Sequence, residues 1–487
     1  MSSSNYVKPD IKTNFSNIPV FIFIIIAGFL YIFGLYSFYD YIMSPQSQEF
    51  FNLIKDNLPD IISVGSQLLP YLLAFLFFFI VISILFSWIL LKIISKVGQE
   101  VTIVVTILAP LIIVGLGILL LLSGGGITFI GIIFVIVGGL LLLLVIYKFN
   151  ALKRAGKFVE FSAQLALDEK AVLIAPIILG FFTLISGFFM MFSYWEVNQL
   201  VLTYMQNQSQ DTANYVGNIV ALIFEYFFLI VYLGISYTLN GMVISYAGDW
   251  YRGLDPDMKS ARKDISAVIP IILKFAFAMA TVQMIYRVFA RALAGQSGGQ
   301  VTGSTSGRRG GGGLNGIGIV FTVIGFFLIS IIGAIWAFLN YFTLISIIQK
   351  KKNLTESIKD SASTMWHGFL DVLVGDTGFG LTMGIFAILY FFLWFGTGLG
   401  IGYFALGNDI FIGFVVGILF VVLSTFSYNV ISMPMNTSFK TFLYCYAQDY
   451  MDGFDKPSKL PLELRDDFKY LQNNYKKRKM KDPSQIL

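Results

Sequence analysis

The sequence has one cysteine, Cys445, and one histidine, His367, in 487 residues. A single cysteine excludes an intrachain disulfide framework and a thiolate metal cluster. A single histidine excludes a His-rich metal site and a two-histidine zinc motif. Charge is also scarce: Asp, Glu, Lys and Arg make up 13% of the chain, about half the share that soluble domains carry. With 56% hydrophobic and 16% aromatic residues, the chain lacks the polar surface that a water-soluble fold of this length requires. One helical membrane bundle accounts for the length better than several soluble domains. The net charge of +5 would suit nucleic acid, but the basic residues fall in connectors between apolar runs, so no nucleic-acid partner is expected. No acid, base, metal ligand and nucleophile cluster together. Catalytic residues, metal and cofactor are therefore expected to be none, and the chain reads as non-enzymatic.

What is present is a succession of apolar runs, each near the 20 or so residues that cross a bilayer. The first, about 18–38, is too long for a signal-peptide core and lacks a small-residue cleavage site, so it reads as an uncleaved span. Runs at 68–91, 101–122 and 127–147 follow, the last two joined by Ser123-Gly-Gly-Gly126. A basic amphipathic connector at 148–170 leads to three further pairs. These are 171–194 with 216–246, 267–286 with 317–348, and 378–404 with 410–431, the last run continuing past Pro434. Ten spans result. The run 267–286 contains Pro270 and Lys274 and also fits a re-entrant or interfacial segment. Residues 295–316 are dominated by Gly and Ser and read as a flexible loop. With the N-terminus inside, most of the 33 Lys and Arg fall on the inner side, as the positive-inside bias requires. Both termini are therefore expected in the cytoplasm, with the chain in the cell membrane.

The chain also repeats itself. Tyr246-Ala-Gly-Asp-Trp-Tyr-Arg-Gly-Leu-Asp255 returns as Tyr446-Ala-Gln-Asp-Tyr-Met-Asp-Gly-Phe-Asp455. Ser-Ala pairs at Ser162, Ser260 and Ser361 keep the same beat, each just before an apolar segment. A period near one hundred residues predicts a two-helix hairpin used three times. The division is a four-span part at 1–150, hairpins at 151–255, 256–350 and 351–455, and a basic cytoplasmic tail at 456–487.

Few residues stand out as candidate sites. Glu225 lies among apolar residues, where a carboxylate costs about 2.5–3.5 kcal/mol on insertion scales and often serves ions or protons. It would equally fit a hydrated or protonated helix contact. Lys274 can snorkel to the headgroups. Asn240, Gln283, Asn340 and Asn429 could line a permeation path or bridge helices for roughly 1–2 kcal/mol or less. Asp249 and Asp449 hold equivalent places in the echo, with Gly253 and Gly453 in the turns beyond. They would help end helices at the water interface, or bind a cation or partner. Gly396, Gly398, Gly400 and Gly402 form no phosphate fingerprint. Like Gly380/Gly384 and Gly413/Gly417, they suit close helix packing. The amphipathic connectors 158–167 and 354–369 could lie in the inner interface. Lys476, Lys477, Arg478 and Lys479 could bind anionic lipid or only mark the inner side. His367 reads as interfacial and Cys445 as a packing residue. Of the four glycosylation sequons only Asn207 would face outward.

The region from about 153 to 455 resembles a family of prokaryotic polytopic membrane proteins akin to the membrane domain fused to some glycerophosphodiester phosphodiesterases. The matching residues are Glu356–Met365, Ala247–Asp255 and Thr441–Asp449. That resemblance implies a helical bundle with interfacial helices and brings no catalytic residues, since the soluble phosphodiesterase domain is absent. The closing segment is also similar to the end of choline-transporter-like proteins. The leading expectation is an all-α, ten-span, non-enzymatic protein that organises lipid or anchors a membrane assembly, alongside other subunits or a second copy of itself. The alternative is a secondary transporter or channel that uses Glu225, since parallel repeats also occur in transporters.

Overall fold

In hydrocarbon no water completes the backbone hydrogen bonds, so each apolar run must satisfy its own amides, and a helix does so. The computed structural model describes residues 15–45, 58–124, 128–205, 210–297, 331–405 and 410–452, and all regular structure among them is helical. The elements are α1 (Ile18–Met43), α2 (Leu58–Ser123), α3 (Thr128–Tyr147), α4 (Phe149–Asp168), α5 (Ile174–Tyr204), α6 (Gln210–Tyr251), α7 (Met258–Ser297), α8 (Thr343–Lys350), α9 (Leu354–Ala405) and α10 (Ile410–Asp452). A short 3-10 turn, Lys170–Leu173, links α4 to α5. Residues 331–340 are also helical and reach α8 through a turn at Tyr341 and Phe342. Among the described residues, 9 helical stretches are long and apolar enough to cross a membrane. The protein is an all-α, multi-pass membrane bundle.

The runs 68–91 and 101–122 belong to one helix, α2, of 66 residues, about 99 Å at 1.5 Å per residue. The polar stretch between them contains no proline, and its buried side packs on α4. A Cβ on Gly98 would touch Glu160 and Val159, and Gly156 lies against the backbone of Gln99. The Gln99 backbone N–H donates to Glu160 Oε1 at 3.1 Å. A side chain entering a helical ladder is a recognised cause of bending, so Gln99 marks the point where α2 can change direction. The run 267–286 lies within the unbroken helix α7, which contains Pro270.

The connector α4 is buried over most of its length. Ala151, Leu152, Ala155, Phe158, Val159, Ala163, Leu165 and Ala166 are enclosed, together with Glu160 and Ser162. It packs between α2, α9 and α10 and anchors one large core cluster that includes Ile94, Ile244, Phe439, Phe442 and Tyr444. The second connector, 354–369, is the opening of the 52-residue helix α9.

Where α9 and α10 pair, glycines set the distance. A Cβ on Gly402 would come within 2.8 Å of Gly413 Cα, and one on Gly398 within 2.9 Å of Gly417 Cα. Gly380, Gly384, Gly396 and Gly400 have nothing within 4 Å of such a Cβ. Only half of the glycines singled out by spacing form the seam.

Candidate solute cavity and connector network

Helices α5, α6 and α10 line an open pocket of about 500 Å³. Its polar lining comes from Thr183 on α5, Tyr232, Ser236 and Asn240 on α6, and Asn429 on α10, with Phe426 supplying an aromatic face. The Phe426 ring comes so close to Gly180 that any side chain there would overlap it. Thr437 Oγ1 donates to Asn240 Oδ1 at 2.8 Å, and Asn240 Nδ2 reaches Ser236 Oγ at 3.4 Å. The amide therefore has its acceptor side held by the protein. Among the described residues, none that lines the pocket is charged. Such a surface can hydrogen-bond a small solute and offer it ring faces, but it cannot form an ion pair.

A second polar assembly stands at the connector end of the bundle, centred on Asp360 of α9. Lys350 Nζ and Lys352 Nζ donate to its Oδ1 at 2.7 and 3.1 Å. Ser346 Oγ and Tyr444 Oη donate to its Oδ2 at 2.8 and 2.6 Å. Lys350 also donates to Gln448 Oε1 at 2.6 Å, and Gln448 Nε2 donates to Thr364 Oγ1 at 2.7 Å. Burial pushes the Asp360 carboxyl up, but the donors from Lys350, Tyr444 and Ser346 outweigh it and hold the group at about 2. Lys351 turns the other way and pairs with Asp264 of α7 at 3.1 Å, and Asp264 accepts from Ser245 of α6 at 3.0 Å. The sequence singled out neither Asp360 nor Asp264 as a site residue, although Asp360 lies in the stretch Glu356–Met365. The run Lys350-Lys-Lys352 was the available signal, since three lysines beside buried serines need anionic partners.

The singled-out residues are dispersed. Glu225 on α6 forms an ion pair with Arg287 of α7 and does not line the cavity. Lys274 is exposed on α7, while its neighbours 271–273 and 275–276 are buried. Of the four amides, Asn240 and Asn429 share the cavity, whereas Asn340 donates to Trp336 O at 3.0 Å and accepts from Thr343 at 3.2 Å. Gly253 has φ of 77° and closes α6: its N–H reaches Trp250 O, and the Leu254 N–H reaches Asp249 O, both at 3.0 Å. That pair of bonds is the glycine-terminated helix end expected there. Asp249 and Asp449 are buried, and Asp449 accepts from Tyr251 Oη at 3.0 Å, so the two copies of the echoed motif touch. Gly453, Asn207, Lys476, Lys477, Arg478 and Lys479 lie outside the described residues, as does the side chain of His367.

The structure is thus that of a polytopic membrane protein, a multi-pass helical bundle with a pocket among its spans. Residues 132–451, about two-thirds of the chain, match the plasma-membrane choline transporter family, and the chain belongs to that family. The match runs from α3 to the end of α10 and includes every cavity-lining residue. No curated protein matches the chain.

This overturns the resemblance to the membrane domain of glycerophosphodiester phosphodiesterases. The stretches that carried it, 247–255, 356–365 and 441–449, hold many of the buried contacts at the connector end. Short motifs of small, polar and aromatic residues that end packed helices recur wherever helices close against one another, so they discriminate poorly between families. The similarity of the closing segment to choline-transporter-like proteins pointed to the right family.

Proposed function

We propose that this chain carries a small organic solute across the membrane through the α5–α6–α10 cavity, and that a choline-like amino alcohol is the solute to test first. The observation that carries this reading is the uncharged pocket, largely apolar with hydroxyls and two amides set into it, inside the part of the chain that matches the choline transporter family. Its size falls in the roughly 300–1,000 Å³ range of small-molecule sites. A quaternary ammonium is attracted to aromatic faces, worth about 0.5–2 kcal/mol, and Tyr232 and Phe426 offer two. A hydroxyl would meet the amides of Asn240 and Asn429. Transporter sites form where structural repeats meet. On the three-hairpin division the cavity lies between the first hairpin (α5, α6) and the third (α10). The family match favours this reading over the scaffold expectation.

In this reading the connector end faces the cytoplasm, lipid covers the apolar outer faces of α1 and α3, and the Glu225–Arg287 pair is a structural contact between α6 and α7. Uptake of labelled choline into liposomes containing the purified protein tests it. Saturable uptake above protein-free vesicles is expected. It should fall about tenfold in Asn240→Leu or Asn429→Leu, the loss of one hydrogen bond worth about 1.4 kcal/mol. No uptake above the protein-free background for choline or a panel of amino alcohols would remove the reading.

A further inference from the structure

We propose that the Asp360 cluster is the connector-side gate of the cavity, a lock that pins the last part of α10 to α8 and α9 and opens when solute passes that way. This rests on the transport reading above. Helix α10 runs through both sites. Phe426, Asn429 and Met433 face the cavity, whereas Tyr444 and Gln448 enter the Asp360 cluster. From Met433 to Tyr444 is about 16 Å along a helix axis.

Pro434 stands between them, inside α10. Proline has no N–H to give to the carbonyl four residues back, and its ring crowds that carbonyl, so the helix ladder is interrupted there. One side of the interruption lines the cavity and the other is held by the lock.

The holding is specific and mutual. Two oxygens of one carboxylate receive four donors from three stretches of chain: Ser346 and Lys350 on α8, Lys352 beyond it, and Tyr444 on α10. Lys350 is shared with Gln448, whose amide returns to Thr364 of α9. Gln448 is buried, so its bonds close a ring between α8, α9 and α10. Lys351 adopts φ of 50°, a left-handed conformation uncommon outside glycine, and its ammonium reaches Asp264 on α7. The lysine run therefore ties α7 as well as α9 to the strut that holds α10. Gates of this kind need an element with two discrete arrangements; the segment of α10 beyond Pro434 starts at a ladder break, packs Phe439 and Phe442 into the core, and is held by Thr437 on Asn240, by the polar ring and by Tyr251 Oη on Asp449, so opening must move it as a unit.

Cys445 supplies the readout. It is the chain's single cysteine, buried, and next to Tyr444 on the locked segment. The rate of Cys445 labelling by a small maleimide is measured on the full chain in detergent and in liposomes. Wild type should label slowly. Asp360→Asn should label about tenfold faster or more, and Tyr444→Phe, which keeps the ring and removes one bond, should fall between. Hydrogen exchange read by mass spectrometry should loosen in 435–452 while 410–433 stays protected. General loosening of α9 and α10 together would mean that the cluster only stabilises the bundle, and would overturn the gate. So would unchanged labelling in both variants. If Asp360→Asn does not purify as a folded protein, Tyr444→Phe decides alone by the same two readings. Labelling requires no flux. Faster labelling without any solute uptake would keep the lock and remove the transport reading, whereas uptake with unaltered labelling and exchange would remove the lock alone.

Discussion

Two residues of the connector network show how local chemistry fixes a conformation. Lys351 keeps a left-handed backbone, and its side chain pairs with Asp264. Glycine removes the backbone cost and the ion pair together; alanine removes only the pair. Lys351→Gly should therefore be more stable than Lys351→Ala by roughly 0.5–1 kcal/mol, as read from thermal melts of the two purified variants. Asp360 has a different pH signature. Its carboxyl is lowered from its ordinary 3.8 to about 2, so its contribution is complete above the ordinary value and disappears as pH falls through about 2. The gap in melting temperature between wild type and Asp360→Asn should stay constant from pH 8 to about 5 and narrow below about 4. A gap that grows toward acid would contradict the assignment. Neither feature was legible in the sequence. Asp360 takes its partners from positions up to 84 residues away, and Glu225 finds Arg287 at a separation of 62. Side-chain pairing over such distances leaves no periodic trace.

At the scale of helices, periodicity reveals more but stops short of orientation. The glycine alternation in α9 predicts a close contact, and the structure supplies one, on one face only. Residues 398 and 402 are a helical turn apart and meet α10, while 396 and 400 face away. Gly402→Val should strain the α9–α10 seam by about 1–3 kcal/mol, visible as a lower melting temperature. Gly400→Ala should be neutral or slightly stabilising, because a helix-interior glycine costs about 0.5–1 kcal/mol against alanine. If both substitutions behave alike, the seam is not where the structure places it. The connector α4 teaches the complementary lesson. Its apolar stripe is evident in the sequence and suited a helix lying on headgroups. The same stripe fits a helix enclosed by α2, α9 and α10, and the small residues Ala151, Ala155, Gly156 and Ala163 let those neighbours approach. Small residues set along the apolar stripe of an amphipathic helix are the clue that separates burial from surface lying. Likewise the polar stretch at 92–100 was expected to separate two spans. The helix runs unbroken through it instead, with one of its backbone donors, that of Gln99, also taken by Glu160, a buried carboxylate on another helix.

For the whole molecule, composition and run length together were enough to define an all-α membrane bundle, because only helices and closed barrels satisfy their backbone in hydrocarbon and unbroken apolar runs of about 20 residues have the length of a helix. The cavity was not legible, since Thr183, Ser236, Asn240 and Asn429 come from three helices spread over nearly 250 positions. Only the two asparagines drew notice, as polar positions in apolar runs. The family match starts at residue 132, yet the bundle does not. Leu90, Leu91 and Ile94 of α2 belong to the same core as Phe158 and Tyr444, Thr102 of α2 accepts from Thr382 of α9 at 2.9 Å, and the Phe79 ring packs at a tilt against the fully buried Trp394, centroids 4.6 Å apart. Removing α2 would strip that face of α9 and leave buried indole and hydroxyl groups against lipid. A chain beginning at residue 128 should therefore fail to give a monodisperse peak in detergent gel filtration. Co-expression of residues 58–123 as a separate helix should restore at least part of it, since the contacts involved are side-chain packing and need no covalent link. A monodisperse, choline-transporting protein without α2 would show that the family-matching segment is self-sufficient and that this N-terminal helix is an accessory to it.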